Sequence, residues 1–209
     1  LDLMIDASVL VPRQETETVV ERVLDLARCH FPLGDLRIAD VGTGSGAIAV
    51  SLAVHLPRAR ILATDAFRQA LRVAGLNARR HGVEARVSFS SGDLLEAVEG
   101  PVEIVVANLP YVPASQWERL QPEIRCFEPR EALVPGEGGL EAVLRLLDQV
   151  QARKVWPRWT VLEVGDGQAA AVVRQARLRF PDAAVSVFQD LHGLDRGVVI
   201  EQAPICPKR

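Results

Sequence analysis

The segment Asp40-Val41-Gly42-Thr43-Gly44-Ser45-Gly46 constrains this chain more than any other. Glycines at every second position are unfavourable inside a helix or strand, but they suit a tight turn that a ligand approaches closely. The apolar run Leu36 to Val41 before it predicts a strand, and Ala47 to Leu56 after it predicts a buried helix. A strand, a glycine-rich turn and a helix in that order open a parallel α/β sheet. The next apolar run, Arg60 to Thr64, ends at Asp65. A carboxylate at that point can accept hydrogen bonds from both hydroxyls of a ribose.

The rest of the chain repeats the alternation. Thr16 to Phe31 places Val19, Val20, Val23, Leu24 and Ala27 at helical spacing, and Pro32-Leu33-Gly34 breaks it. Phe67 to His81 reads as a helix, Arg86 to Ser90 as a third strand and Val102 to Ala107 as a fourth. The fourth contains Ile104-Val105-Val106-Ala107, the continuous apolar run expected of a strand buried on both faces. A long Pro-rich connection follows, Asn108 to about Gly139, and loops of that length are usually functional when ordered. Leu140 to Ala152 reads as helix, Thr160 to Val164 as strand and Gln168 to Phe180 as helix. Two last strands, Ala184 to Phe188 and Gly197 to Glu201, are joined by too few residues for a crossover helix, so they should pair antiparallel. The expected fold is α/β: a Rossmann-like, seven-stranded, mostly parallel sheet with one antiparallel strand at its end. One domain should fill residues 1–209, with an opening segment and helix over 1–34 and the core over 35–209.

Composition bounds the function. Hydrophobic residues make up 48% and charged residues 24%, the mix of a globular chain that builds a core. A net charge of -3 disfavours a broad electrostatic grip on nucleic acid. Cys29, Cys126 and Cys206 show no ligand spacing and read as reduced thiols, which favours a cytoplasmic setting. His30, His55, His81 and His192 are equally scattered, so no metal site is expected. No apolar run approaches the length of a membrane span.

Two cofactors fit the glycine loop and Asp65. The string from Gly42 through Ala47 satisfies the dinucleotide pattern, with an acid about twenty residues on. A dinucleotide enzyme also needs a nicotinamide half-site, and no motif suggests one. The reversed terminal strand, the early Asp40 and the loop after the fourth strand suit S-adenosylmethionine instead. Asp93, after the third strand, lies where a contact to the adenine edge would originate, and Leu94 can pack on the ring. Asp before Leu-Leu-Glu is equally a good helix N-cap, and both readings stand.

Asn108-Leu109-Pro110-Tyr111 follows the fourth strand at the edge where open α/β sheets bind ligands. An Asn after four apolar residues is awkward to bury unless its amide is used. Its carbonyl oxygen and a neighbouring backbone carbonyl can accept both hydrogens of an NH₂ group. Pro110 stiffens the loop, and Tyr111 offers a flat face to a planar group. Arg13, Glu15 and Glu17 can order the mouth of the site, although acids also belong in a helix first turn.

Several segments now converge on one family. Val9-Leu10-Val11-Pro12-Arg13-Gln14-Glu15-Thr16-Glu17 is similar to the stretch (I/V)LIPRPETE, and Asp40 to Gly46 to DLGTGSG. Asn108 to Tyr111 is similar to NPPY, and Glu128-Pro129-Arg130-Glu131-Ala132-Leu133 to EPRxAL. Gly138-Gly139-Leu140, Glu163 to Gln168 and Asp190 to Arg196 echo the closing segments. These motifs resemble the HemK/PrmC family, class I S-adenosylmethionine-dependent methyltransferases that modify the glutamine of the Gly-Gly-Gln loop in peptide-chain release factors. The NPPY motif also occurs in amino-methyltransferases of DNA and RNA, so the PRxETE and EPRxAL segments carry the assignment.

The resemblance implies cofactor contacts from Gly42, Thr43, Gly44, Ser45, Gly46, Asp65, Leu94 and Asn108, to which the spacing adds Asp93. It implies that Asn108, Leu109, Pro110 and Tyr111 hold the acceptor, with Asn108, Pro110 and Tyr111 as the catalytic set. Leu109 replaces the first proline of NPPY, which keeps a backbone carbonyl but loosens the loop; Gln14 replaces the proline of PRPETE. The family's N-terminal helical domain, which helps to hold the release factor, has no counterpart in this sequence. The resemblance therefore implies a cytoplasmic protein-glutamine methyltransferase of translation termination, with release factor as partner. The alternatives are an amino-methyltransferase of RNA or DNA bases and a non-catalytic cofactor-binding module.

Overall fold

A computed structural model describes residues 1–32 and 35–203. Leu33, Gly34 and Cys206 lie outside the described residues. The helices are α1 (Glu15–His30), α2 (Ala47–His55), α3 (Arg68–Arg80), α4 (Pro122–Phe127), α5 (Glu141–Ala152) and α6 (Ala169–Arg179). The strands are β1 (Arg37–Val41), β2 (Arg60–Asp65), β3 (Val87–Ser91), β4 (Ile104–Ala107), β5 (Trp159–Glu163), β6 (Ala184–Gln189) and β7 (Asp195–Glu201). Except for α4, which falls in the long connection where no helix is expected, each agrees with its expected span to within a residue or two, as helix and strand ends generally do.

The seven strands form one sheet in the order β3-β2-β1-β4-β5-β7-β6. Only β7 runs antiparallel to its neighbours. It is last in the chain but not at the sheet edge: it inserts between β5 and β6, and β6 takes the edge. The physical reason is burial. Val198, Val199 and Ile200 of β7 are apolar in succession and need covering on both faces. β6 leaves most of its residues exposed.

Side chains alternate along the strands and so divide the core into two layers. Ile38, Ile61, Ile104, Val106 and Val161 face α1, α2 and α3, where they meet Val19, Val23, Leu52 and Ala78. Ala39, Val41, Val105, Ala107, Leu162 and Val198 face α5 and α6, where they meet Leu146, Leu147, Val172 and Phe180. Helix α1 buries Thr16, Val19, Val23, Leu24 and Ala27, the face its spacing predicts. Glu15 and Glu17 in its first turn and Arg28 and His30 in its last complement the helix dipole.

The long connection is more structured than its composition suggests. It carries two 3₁₀ turns, Ala114–Arg119 and Arg130–Ala132, with α4 between them. Val112 N–H donates to Leu133 O at 2.9 Å and Ala114 N–H to Gly136 O at 3.0 Å, so the loop closes on itself. Repeated prolines set extended approaches to short helical turns, and no run is long enough to register as periodic. Among the described residues no helix is long and apolar enough to cross a membrane.

Candidate active site

β1 and β4 are parallel neighbours, but α2 covers one face after β1 and α5 the other after β4. The chain therefore parts at their carboxyl ends, the point where such sheets bind ligands. A cavity of about 570 Å³ opens there, lined by Gly42, Thr43, Gly44, Ser45, Asp65, Asp93, Leu94, Asn108, Leu109 and Pro110. The opening segment contributes Ser8, Val9, Leu10 and Pro12, and the long loop contributes Pro129, Glu131, Ala132, Val134 and Pro135.

The glycine loop is held from beneath. Gly42 and Thr43 N–H both donate to Thr64 O at 2.9 Å. Asp40 is fully buried, and its Oδ2 accepts from Thr43 Oγ1 at 2.6 Å and from Ala49 N–H at 3.0 Å. Gly44 has φ +56°, and a Cβ built on it would meet no atom within 4 Å, so its bare face looks onto open space. Gly46 serves packing instead. A Cβ there would come within 3.0 Å of Ala74 Cβ, so this glycine lets α2 and α3 approach, and it does not line the cavity. Asn77 of α3 donates to Ser45 O and to Met4 O, and accepts from Met4 N–H, so it ties the opening segment to the loop.

Asp65 accepts from Gly44 N–H and Phe67 N–H, each at 2.9 Å. Each carboxylate oxygen retains acceptor capacity for a further donor. Burial raises the Asp65 carboxyl above the usual carboxylate range against the pull of these amides. Burial also pushes Asp40 up to about 7, opposed by Thr43 and Ala49 and reinforced by the charge of Asp65.

Asp93 is not a helix N-cap, because residues 93–97 form turns rather than a helix. Its carboxylate pairs with Arg145 of α5 at 3.1 Å. Leu94 has φ +54°, the only positive value outside glycine among the described residues. That conformation is costly for a branched side chain and persists only where neighbours hold it. Thr64 Oγ1 donates to Leu94 O at 2.8 Å, while Gln149 accepts from Leu95 N–H at 2.7 Å and donates to Asp93 O at 3.3 Å. These hydrogen bonds hold the segment with Leu94 in the cavity wall.

Asn108 donates from Nδ2 to Thr16 Oγ1 at 3.1 Å, and Thr16 Oγ1 donates to Glu163 Oε2 at 2.8 Å. Burial pushes the Glu163 carboxyl up to about 7, against the pull of Thr16, Arg196 and Asn108. Tyr111 does not line the cavity. Its ring lies against Gly165, where a Cβ would approach Tyr111 Cδ2 at 2.9 Å, and its carbonyl accepts from Gln168 Nε2 at 2.8 Å. Arg13 donates to Glu128 at 2.5 Å and Val11 N–H to the same carboxylate at 3.2 Å, which joins the opening segment to the long loop. Thr16 and Glu163 lie inside segments that resemble the family's motifs, but nothing in the sequence joined either to Asn108; Gln149 and Arg145 read as ordinary helix residues.

A family model described as Methyltransferase small domain matches residues 23–136. Release factor glutamine methyltransferase of Bacillus cereus is 36% identical over 200 residues, covering 94% of this chain and 70% of that protein. The Moorella thermoacetica protein of the same name is 43% identical over 197 residues, covering 94% and 68%. Among solved structures, the human METTL16 catalytic domain in complex with a MAT2A 3′UTR hairpin superposes with TM-score 0.75 at 16% identity, covering 98% of this chain and 77% of that one. A ribosomal protein L11 methylase from Lactobacillus delbrueckii subsp. bulgaricus gives 0.61 at 17%, covering 91% and 81%. Those two share the fold. By the family-model match and its identity to curated relatives, this chain belongs to the release factor glutamine methyltransferase family.

Proposed function

We propose that the chain transfers a methyl group from S-adenosylmethionine to the side-chain amide nitrogen of the glutamine in a release-factor Gly-Gly-Gln loop. The observation that carries the reading is the amide of Asn108: its Nδ2 is turned to Thr16, which leaves Oδ1 as the acceptor for an incoming NH₂.

The cavity fits the cofactor. Gly44 leaves its bare face open, Asp65 offers carboxylate oxygens to ribose hydroxyls, and Leu94 gives an apolar wall for a purine. When bound, S-adenosylmethionine supplies an activated methyl group, so the protein has to supply position more than acid or base. An amide nitrogen is a weak nucleophile because its lone pair is delocalised. Asn108 Oδ1, with the Leu109 carbonyl, accepts hydrogen bonds that orient this nitrogen and stabilise positive charge growing on its hydrogens. Leu109 is buried and carries a backbone carbonyl as the family's proline does, so the substitution preserves the group the chemistry uses. Gln168 and Gly165 seat Tyr111 and so fix the far end of the loop.

The test is incubation with release factor and S-adenosylmethionine, followed by peptide mass spectrometry. One methyl on the Gly-Gly-Gln glutamine, lost in a Gln→Ala substrate, is the expected result. Asn108→Ala should lower kcat by on the order of 10²–10³ with little change in cofactor affinity. Methyl incorporation into RNA or DNA, with none in release factor, would overturn the assignment.

A further inference from the structure

We infer that Thr16 and Glu163 are positioning residues, forming a one-way hydrogen-bond relay that sets which end of the Asn108 amide meets the acceptor. The inference rests on the proposed methyl transfer to an amide nitrogen and deepens it.

The relay draws on three elements: Thr16 in the first turn of α1, Asn108 just after β4, and Glu163 at the end of β5. Thr16 and Glu163 are buried, and Glu163 is only 1% exposed. An ionised carboxylate has no proton to give, so Thr16 must donate its single hydroxyl proton to Glu163. Toward Asn108 the hydroxyl can then only accept, and it accepts from Nδ2. Polarity thus passes from a buried charge through a hydroxyl to the Asn108 amide, and the direct pull of Asn108 on Glu163 acts in the same sense. Turned over, Asn108 would present NH₂ to the acceptor's NH₂, donor against donor, and the nitrogen would not be held.

The direction of the relay depends on one proton. Glu163 is faced by Thr16 and Glu15 of α1, by Asn108 and Tyr111 of the loop after β4, and by Arg196 of β7. Burial raises its carboxyl to about 7. Above that pH it is ionised and the relay runs as described. Below it, a protonated Glu163 donates to Thr16, the Thr16 proton swings to Asn108, and Oδ1 is drawn away from the acceptor. kcat should therefore fall as pH drops through about 7.

Single-turnover methylation of release factor tests the relay, beside cofactor binding. Thr16→Val keeps the shape and removes the hydroxyl; kcat should drop about 10- to 100-fold, the factor a lost charge-assisted hydrogen bond carries. KM for release factor and cofactor affinity should hold, and Thr16→Ser should restore the rate. Glu163→Gln keeps an acceptor that cannot ionise, so its kcat should not fall between pH 8 and pH 6. A wild-type rate in Thr16→Val, a loss that Ser does not restore, or an unchanged acid limb in Glu163→Gln would each overturn the relay. If Thr16→Val fails to bind cofactor, the Glu163→Gln profile decides. A wild-type protein that methylates no release factor removes the proposed function instead. The relay is then judged by NMR, from whether the Asn108 side-chain NH₂ signals titrate near pH 7 in the wild type and stay fixed in Glu163→Gln.

Discussion

The contact between Gly42 and Leu109 makes the link between the cofactor loop and the acceptor loop measurable. Gly42 has φ +72°, and a Cβ built on it would lie 2.8 Å from Leu109 Cδ2. In Gly42→Ala, the left-handed backbone costs about 1–2 kcal/mol for a residue with a side chain. The collision adds to this. Its partner atom is the tip of a side chain and could yield, but Leu109 is only 3% exposed, so yielding means displacing core neighbours. The lower half of the usual overpacking range, about 1–2 kcal/mol, is the appropriate scale. Gly42→Ala should therefore destabilise by about 2–4 kcal/mol. Leu109→Ala, which empties a buried site, should cost about 2–5 kcal/mol. In the double variant the new methyl occupies space that leucine has vacated, so only the backbone term of Gly42→Ala survives. The double variant should fall short of the sum of the singles by about 1–2 kcal/mol. Urea unfolding of the four proteins, with m-values unchanged between them, gives the numbers. Additivity to within about 0.5 kcal/mol would mean that Gly42 and Leu109 are not in contact.

Two further predictions concern the acids. Asp65→Ala should weaken binding of S-adenosylmethionine or its demethylated product by about 1–3 kcal/mol in calorimetry, through lost charge-assisted hydrogen bonds. Asp65→Asn, which keeps an acceptor for Gly44 N–H but not for Phe67 N–H, should lose less affinity than Asp65→Ala; unchanged affinity in both, or equal binding of NAD, would sink the ribose assignment. Asp40 bears on stability rather than binding: its carboxyl rises from 3.8 to about 7 on folding, so between those values the folded state holds more protons than the unfolded. Stability of the cofactor-free protein should accordingly fall by up to a few kcal/mol as pH climbs through that window and level off above it. Asp40→Asn should flatten part of that slope in urea midpoints, with the rest coming from Glu163 and Asp65; a slope identical to wild type would mean that burial does not raise the Asp40 carboxyl.

Local chemistry was legible in the order of the residues. The glycine loop with Asp65, the buried face of α1, the apolar run of β4 and the antiparallel last pair all follow from periods and turn residues spanning a few positions. So did the place of Asn108, because a polar amide after four buried residues calls for a use. What depended on tertiary structure was which distant group each polar atom meets. Thr16 and Glu163 are 147 positions apart, and Asn108 lies 92 from Thr16. Asp93 turned to Arg145 instead of capping a helix, Leu94 is held strained by Thr64 and Gln149, and Tyr111 faces Gly165 rather than the cavity. β7 slipped between β5 and β6 because its apolar run needed two covered faces. Hydrophobic patterning is a local code, since it needs only the repeat of a helix or strand and a nearby core. Hydrogen bonds act over about 3 Å, so their partners are decided only when register and packing have brought remote segments that close.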